Sequence, residues 1–380
     1  MLERPDIISQ IDLFFEVMPI CGILGPRQVG KTTLAELYSK KFTNCHRFDL
    51  EDPYDLALLR NPKASLADLK GLIIIDEIQR LPELFPYLRV FVDRNPDIKI
   101  LILGSSAPSL LRQSSETLAG RIGYIELTPF DLLTGGDQPR LFTRGGFPKS
   151  YLANTWDASS RWRKSYINTF LEQDLAALGF DITTQNMRNL WTMIAHYHGN
   201  IMNYSEFSRS LSMSEGTIRK YLHILENSFM VRVLRPWFAN IKKRQIKSPK
   251  VYIRDSGLLH SLLRIEEEDI KMHPKVGAAF EGFALEEVIK SQKLDASDCY
   301  FWHTQNGAEL DLFVAHHPQK IGFEFKYTDA PKITKSMRIA KEDLGLDKLY
   351  LVTPHSKDAD LGEGFELISL KTLATKAVIK

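Results

Sequence analysis

Gly25-Pro26-Arg27-Gln28-Val29-Gly30-Lys31-Thr32 decides how this chain is read, because it satisfies G-x-x-x-x-G-K-[ST] between an apolar run and a helical stretch. The run before it is Ile20-Cys21-Gly22-Ile23-Leu24, and helical spacing follows from Thr32 to Phe42. Strand, loop and helix in that order are what a phosphate cradle needs. The two glycines let backbone N–H groups turn inward, and the helix N-terminus adds partial positive charge. Lys31 is expected to reach the β- and γ-phosphates of a nucleotide and the Thr32 hydroxyl to ligate Mg²⁺, with Thr33 the next residue of the same turn.

Working outward, Leu72-Ile73-Ile74-Ile75 and Ile100-Leu101-Ile102-Leu103 are apolar without alternation, as in parallel strands covered on both faces, and Leu84 to Phe91 reads as a covering helix between them. The first ~135 residues therefore form one α/β unit, closing at Gly135-Gly136-Asp137. The second strand ends in Asp76-Glu77, at the sheet edge where parallel sheets present ligands. Asp76 is expected to hold the Mg²⁺ shell, and Glu77 to polarise a water for attack on the γ-phosphate, which favours hydrolysis over transfer. Alone, such acids are often no more than a solvated strand end. Gly104-Ser105-Ser106 places a hydroxyl, that of Ser105, at the same edge to sense the γ-phosphate or orient the water, although serines there are also ordinary turn formers. Arg121, after Leu118-Ala119-Gly120, is a candidate to neutralise transition-state charge in its own subunit or a neighbour's, which leaves an oligomer open; Arg27 is a further candidate phosphate contact.

At 380 residues and ~150 per domain, two or three domains are expected. With 44% hydrophobic and 25% charged residues, neither a disordered nor a fibrous chain fits. The net charge of +2 supplies no global field toward nucleic acid or membrane, so such partners must be sought in local clusters. Cys21, Cys45 and Cys299 form no C-x-x-C, which argues against a disulfide framework or zinc ribbon and for a cytoplasmic compartment. No basic segment followed by an apolar one opens the chain, and no apolar run approaches ~18 residues, so no membrane partner is expected.

Residues 136–202 read as a helical connecting region, with Trp162, Tyr166, Phe170 and Leu171 at helical intervals. Within 203–264, Asn203-Tyr204-Ser205-Glu206 and Ser212-Met213-Ser214-Glu215 are two helix starts at helix-turn-helix spacing, with Phe207, Leu211, Ile218, Leu222 and Leu225 inward and Thr217, Arg219, Lys220 and His223 on polar faces. Arg232 to Lys250 then carries seven basic residues and no acid, interleaved with Trp237 and Phe238, and with Tyr252 just beyond it suggests a hairpin wing. A winged helix of this kind places one helix in the DNA major groove and its wing on phosphates; the same fold also docks proteins.

From 273 to 380, Gly307 to Val314 alternates so that Leu310, Leu312 and Val314 oppose Glu309, Asp311 and Phe313, and Ile321 to Tyr327 places Glu324 and Lys326 on one face. Two adjacent strands would gather Asp311, Glu324 and Lys326, and a preceding helix adds Glu281. Carboxylates at 281, 311 and 324 are candidate Mg²⁺ ligands and Lys326 a catalytic partner for phosphodiester cleavage, in an α-β-β-β-α-β nuclease core. Polar residues on the solvent face of half-buried strands would look much the same.

These motifs, with Gly145-Gly146-Phe147-Pro148 and Ser248-Pro249-Lys250-Val251-Tyr252-Ile253-Arg254-Asp255-Ser256-Gly257, resemble prokaryotic AAA-type ATPases fused to a C-terminal domain of unknown function. The resemblance spans nearly the whole chain and implies a P-loop ATPase (1–135), a winged helix and a PD-(D/E)XK nuclease-like domain. Leu310 stands where that motif's proline would precede Asp311. The expectation is an ATP-hydrolysing α/β protein, with ATP and Mg²⁺ as cofactors, coupled to DNA binding or processing. The alternative is a nucleotide switch whose last domains bind protein.

Overall fold

The computed structural model describes residues 4–105, 117–175, 183–238, 247–315 and 319–379. Ser106, Lys242, Lys243 and Arg244 lie outside the described residues. The chain divides into two compact units, one of residues 1–129 with 227–229, the other of 130–226 with 230–380.

In the first unit, β1 (Ile20–Leu24), β2 (Cys45–Asp49), β3 (Leu72–Asp76), β4 (Lys99–Gly104) and β5 (Ile122–Glu126) form a sheet in the order β2-β3-β4-β1-β5, with every pair parallel. The apolar runs behave as their lack of alternation predicts. Ile73, Ile75, Ile100 and Ile102 bury one face against the helix α3 (Leu84–Arg94), while Leu72, Ile74, Leu101 and Leu103 bury the other with residues of α1 (Pro5–Val17) and α2 (Lys31–Ser39). The strands β2 and β5 carry no such run. β2 is an edge strand reading Cys-His-Arg-Phe-Asp in which only Phe48 is buried, so its pairing with β3 defines it rather than its composition.

In the second unit, α4 (Thr184–His196), β6 (Asn200–Ile201), α5 (Tyr204–Leu211), α6 (Glu215–Asn227), β7 (Val231–Pro236) and β8 (Lys250–Ile253) follow one another, and β8 pairs antiparallel with both β6 and β7. The first expected helix start holds, with Asn203 Oδ1 accepting from Glu206 N; in the second stretch Ser212 ends α5 as its C-cap and Ser214 Oγ is the cap, accepting from Thr217 N. Phe207, Ile218, Leu222 and Leu225 are buried. The sheet does not stop there. β7 also pairs, parallel, with β9 (Cys299–His303), which continues through β10 (Glu309–Ala315), β11 (Lys320–Phe325), β12 (Lys348–Thr353), β14 (Phe365–Ser369) and β13 (Ala359–Gly362) into one nine-stranded sheet. Apart from residues 227–229, the segments 136–202, 203–264 and 273–380 thus fall within a single compact unit.

The apolar run Leu349-Tyr350-Leu351-Val352 forms β12, and the β13–β14 hairpin follows it. One sequence expectation changes here. The strict alternation along β10 is broken by a register shift between Leu310 and Phe313, so these two residues share one core cluster with α8 (Lys335–Leu344) instead of facing apart.

The two glycine motifs lock this unit together. Gly145 has φ +76°, and a Cβ there would stand 2.1 Å from Asp255 Oδ1; Gly257 would meet the Arg144 carbonyl at 2.1 Å. Asp255 caps the helix Ser256–Leu262 by accepting from Leu258 N, and accepts from Gly146 N with its other oxygen.

Candidate functional site

Two sites carry the sequence's acid and lysine motifs, one in each unit. In the first, Gly25 and Gly30 shape the loop. A Cβ at Gly25 would lie 2.3 Å from the Leu127 carbonyl oxygen, and Gly30 has φ +102° as the residue preceding α2. Gln28, too, is left-handed at φ 59°. Pro26 and Val29 are buried beneath the loop, and Thr33 is exposed on the first turn of α2. Arg4, ahead of α1, donates to the carbonyls of Thr128 and Val29 and so braces the loop from below; nothing in the motif pointed to it.

Lys31 Nζ donates to the carbonyls of Gly25 and Pro26 at 2.9 Å each. Thr32 Oγ1 donates to Asp76 Oδ2 at 2.9 Å, across α2 and the end of β3. Burial raises the Asp76 carboxyl above its ordinary range, an effect the Thr32 hydroxyl partly offsets. Hydroxyl and carboxylate oxygens converging beside a lysine are the donor set that suits Mg²⁺. Glu77 adopts a left-handed turn at φ 51°, and its Oε2 accepts from Gln79 Nε2 and from Ser105 Oγ, the latter at 3.1 Å. Ser105 therefore positions Glu77, a role its sequence position alone did not distinguish from contact with phosphate. Gln79 was missed altogether, and only the fold places it against Glu77.

Of the two candidate arginines, Arg27 stays on the loop and Arg121 does not sit as expected. Arg27 pairs with Glu51 at 3.0 Å. Arg121 Nε and Nη2 lie 2.6 and 2.9 Å from the two oxygens of Asp93, and its carbonyl accepts from Ile20 N at the start of β1. β1 and β5 run parallel, so Arg121 is at the edge of the sheet opposite the phosphate loop, roughly 16 Å away at ~3.3 Å per residue along the strand. A contact with phosphate in its own subunit is excluded by that placement.

In the second unit, α7 (Val276–Ser291) and strands β8, β10 and β11 bring together Glu281, Lys250, Tyr252, Asp311, Glu324 and Lys326. The expected pairing of Glu324 with Lys326 is present at 2.8 Å. Lys250 and Tyr252 were read as parts of a basic, aromatic wing; they do lie on the hairpin strand β8, but their side chains are buried instead of facing solvent. Lys250 Nζ lies 3.3 Å from Glu281 Oε1 and 3.4 Å from Asp311 Oδ1, and the Tyr252 hydroxyl donates to Glu281 Oε1 at 2.6 Å. A lysine opening an otherwise apolar strand, Lys250-Val251-Tyr252-Ile253, was the available signal, since a buried ammonium demands an acid. Arg232 likewise leaves the basic run to pair with buried Glu286, which also binds Arg254. Burial alone would raise Glu286, but the two arginines carry it down to about 2. Of the run's described cations, Arg235 and Lys247 remain exposed.

Burial and the nearby Asp311 push Glu281 up to about 7 and Glu324 up to about 8. Among the described residues no three His, Cys, Asp or Glu side chains converge to hold a metal ion. Of the expected ligand set Glu281, Asp311 and Glu324, the first two face the Lys250 ammonium that stands between them. Beside Lys250, a cleft of about 540 Å³ is lined by His196, Asn200, Glu206, His303 and Glu309 among others.

Comparison with known proteins agrees with the first site. Residues 18–133 match an AAA domain, residues 136–269 a domain of unknown function, DUF8612, and residues 276–373 another, DUF4143. The chain is 46% identical over 358 residues to the uncharacterized protein Rv2008c of Mycobacterium tuberculosis, covering 93% of this chain and 80% of that protein, and equally to Mb2031c of Mycobacterium bovis. An uncharacterized protein of Haemophilus influenzae is 24% identical over 295 residues, covering 68% of this chain and 72% of its own length. In structure, the Walker-type ATPase of Pyrococcus abyssi superposes with a TM-score of 0.51 at 16% identity, over 69% of this chain and 96% of that one, a likeness of fold. The chain belongs to the family of these mycobacterial proteins, and its N-terminal unit is a P-loop ATPase domain of the AAA type. No helix among the described residues is long and apolar enough to cross a membrane.

Proposed function

We propose that this family member hydrolyses ATP at the Gly25–Thr32 loop and couples the nucleotide state to DNA binding by its second unit. The observation that carries the hydrolysis reading is the convergence of Thr32, Asp76 and a separately held Glu77. Bound Mg²⁺ would neutralise β- and γ-phosphate charge, with Thr32 and Asp76 holding it. Lys31 exchanges two carbonyl contacts for phosphate oxygens, a swap between uncharged and charged acceptors that favours the anion. Glu77, released from Gln79 and Ser105, orients and deprotonates the attacking water.

The DNA reading rests on element order. Helix, short strand, two helices and a two-stranded hairpin, with β8 between β6 and β7, is the arrangement of a winged helix, in which α6 would be the recognition helix. Arg219, Lys220 and His223 are exposed on it. The second reading, a protein-docking module, is favoured by the withdrawal of Arg232 and Lys250 into ion pairs, which thins the basic run.

Duplex DNA affinity measured at two salt concentrations, with and without ATP, separates the two. Replacing Lys242, Lys243 and Arg244 by alanine is expected to weaken binding alike across sequences and to flatten the salt slope by up to ~0.9 per lost phosphate contact. An unchanged slope selects protein docking.

A further inference from the structure

Lys250 belongs to β8, a strand of the α4–β8 module, yet its ammonium is spent on the acid centre formed by α7 and β10. Its side chain is 5% exposed. The oxygens around it are already engaged. Glu281 Oε1 accepts from both Lys250 and Tyr252, Asp311 Oδ2 accepts from Phe325 N at 3.0 Å, and Glu324 Oε1 faces Lys326. Among these acids only Glu324 Oε2 is buried without a hydrogen-bond partner, while the two carboxylates a hard cation would use beside it, Glu281 and Asp311, face Lys250. A divalent ion bridging Glu281 and Asp311 needs their oxygens at ~2.0–2.1 Å, within the volume that Lys250 Nζ fills. It would also stand against a buried ammonium that little water screens.

We infer that the Lys250 ammonium is the resident cation of this centre, joining Glu281 to Asp311, and that the centre takes no divalent metal while Lys250 is in place. The nuclease-like arrangement is then a charge-balanced junction between β8 and the α7–β10 acids, and metal-dependent phosphodiester cleavage is not its activity. The inference stands apart from the ATPase reading, which concerns the other unit. Access is not the obstacle, since the cleft lined by His303 and Glu309 opens beside Lys250.

The test is calorimetric titration of the full chain, free of nucleotide, with Mn²⁺ alone. The parent and Asp311→Asn are expected to give the same isotherm, because Asp311 holds no metal in either. Lys250→Met should gain one Mn²⁺ site, and Lys250→Met with Asp311→Asn should lack it. Lys250→Met leaves two buried acids without their cation, so Lys250→Gln serves as a second variant, and circular dichroism checks the fold of each. The comparison of parent with Asp311→Asn stands even if neither lysine variant folds. A parent Mn²⁺ site that Asp311→Asn removes overturns the inference, as does a folded Lys250 variant that gains no site. Mn²⁺-dependent cutting of DNA or RNA by the parent, abolished in Asp311→Asn, overturns it as well. ATP hydrolysis on the same preparations reads the other unit separately, so the two proposals fail independently.

Discussion

In the phosphate loop the Lys31 ammonium rests on two backbone carbonyls and the nearby Asp76 carboxylate takes a hydroxyl, whereas in the second unit the Lys250 ammonium lies directly on the carboxylates of Glu281 and Asp311. Both sites are lysine and acid in close quarters. They differ in what holds the charge. The carbonyls that hold Lys31 yield readily to a phosphate, and Asp76 meets a cation only at the partly exposed Arg47, 3.7 Å away, so the first arrangement is poised for a ligand. Direct ion pairs in a buried setting satisfy one another, and removing either member strands the other. A lysine near acids therefore marks a ligand site only where the lysine and the acids have not already neutralised each other.

The largest expected effect tests the cost of stranding a buried charge. Glu286→Gln takes the buried carboxylate from Arg232 and removes one contact of Arg254, and should lose about 3–5 kcal/mol in urea unfolding at neutral pH. The sign of the pH dependence follows from its depressed carboxyl. With a folded value of about 2 against an ordinary 4.5, Glu286 contributes stability above about 4.5 that is lost as pH falls toward 2, and the variant should lack that acid-side loss. A stability change under 1 kcal/mol would mean that direct ion pairs in this unit contribute little.

Next in size is Glu77→Gln, which should keep ATP binding and slow hydrolysis by about 100-fold or more in a steady-state phosphate-release assay. Turnover at the parent rate would remove Glu77 from the chemistry and erase the contrast between the two acid sites.

A smaller effect comes from Glu324. Its folded carboxyl, raised to about 8 by burial and by Asp311, keeps a proton that the unfolded chain releases near 4.5, so stability from this group is present at low pH and falls as pH rises toward 8. Glu324→Gln should flatten the change in unfolding free energy from urea titration between pH 6 and pH 8, by on the order of 1–2 kcal/mol. An unchanged slope would show that Lys326 holds Glu324 ionised throughout.

The smallest effect is expected at Arg121, where Arg121→Ala should leave the ATPase rate of dilute protein unchanged, because the residue sits on Asp93 at the far edge of the sheet. A rate loss that appears only at concentrations where the chain associates would place Arg121 on a neighbour's loop.

The sequence by itself determined the nucleotide-binding unit. A contiguous octapeptide cradles phosphate through its backbone, so Gly25 to Thr32 and the strand ending in Asp76 are legible wherever the flanking runs are apolar. The paired helix starts at Asn203 and within Ser212–Glu215 were legible for the same local reason, since a cap acts within three residues, although the second cap is Ser214 and not Ser212. Charge is different, because its consequence depends on what stands opposite. Arg232 and Lys250 were indistinguishable from solvent-facing cations until β7 and β8 joined the nine-stranded sheet and set them against Glu286, Glu281 and Asp311, 31 to 61 positions away along the chain. Arg121 was adjacent in sequence to a plausible role, and the parallel register of β5 with β1 carried it to the wrong edge. Tertiary structure alone decided these pairings, because burial sets whether a lysine offers its charge to a ligand or spends it on a carboxylate, and burial is a property of the packed sheet that no local stretch of sequence contains.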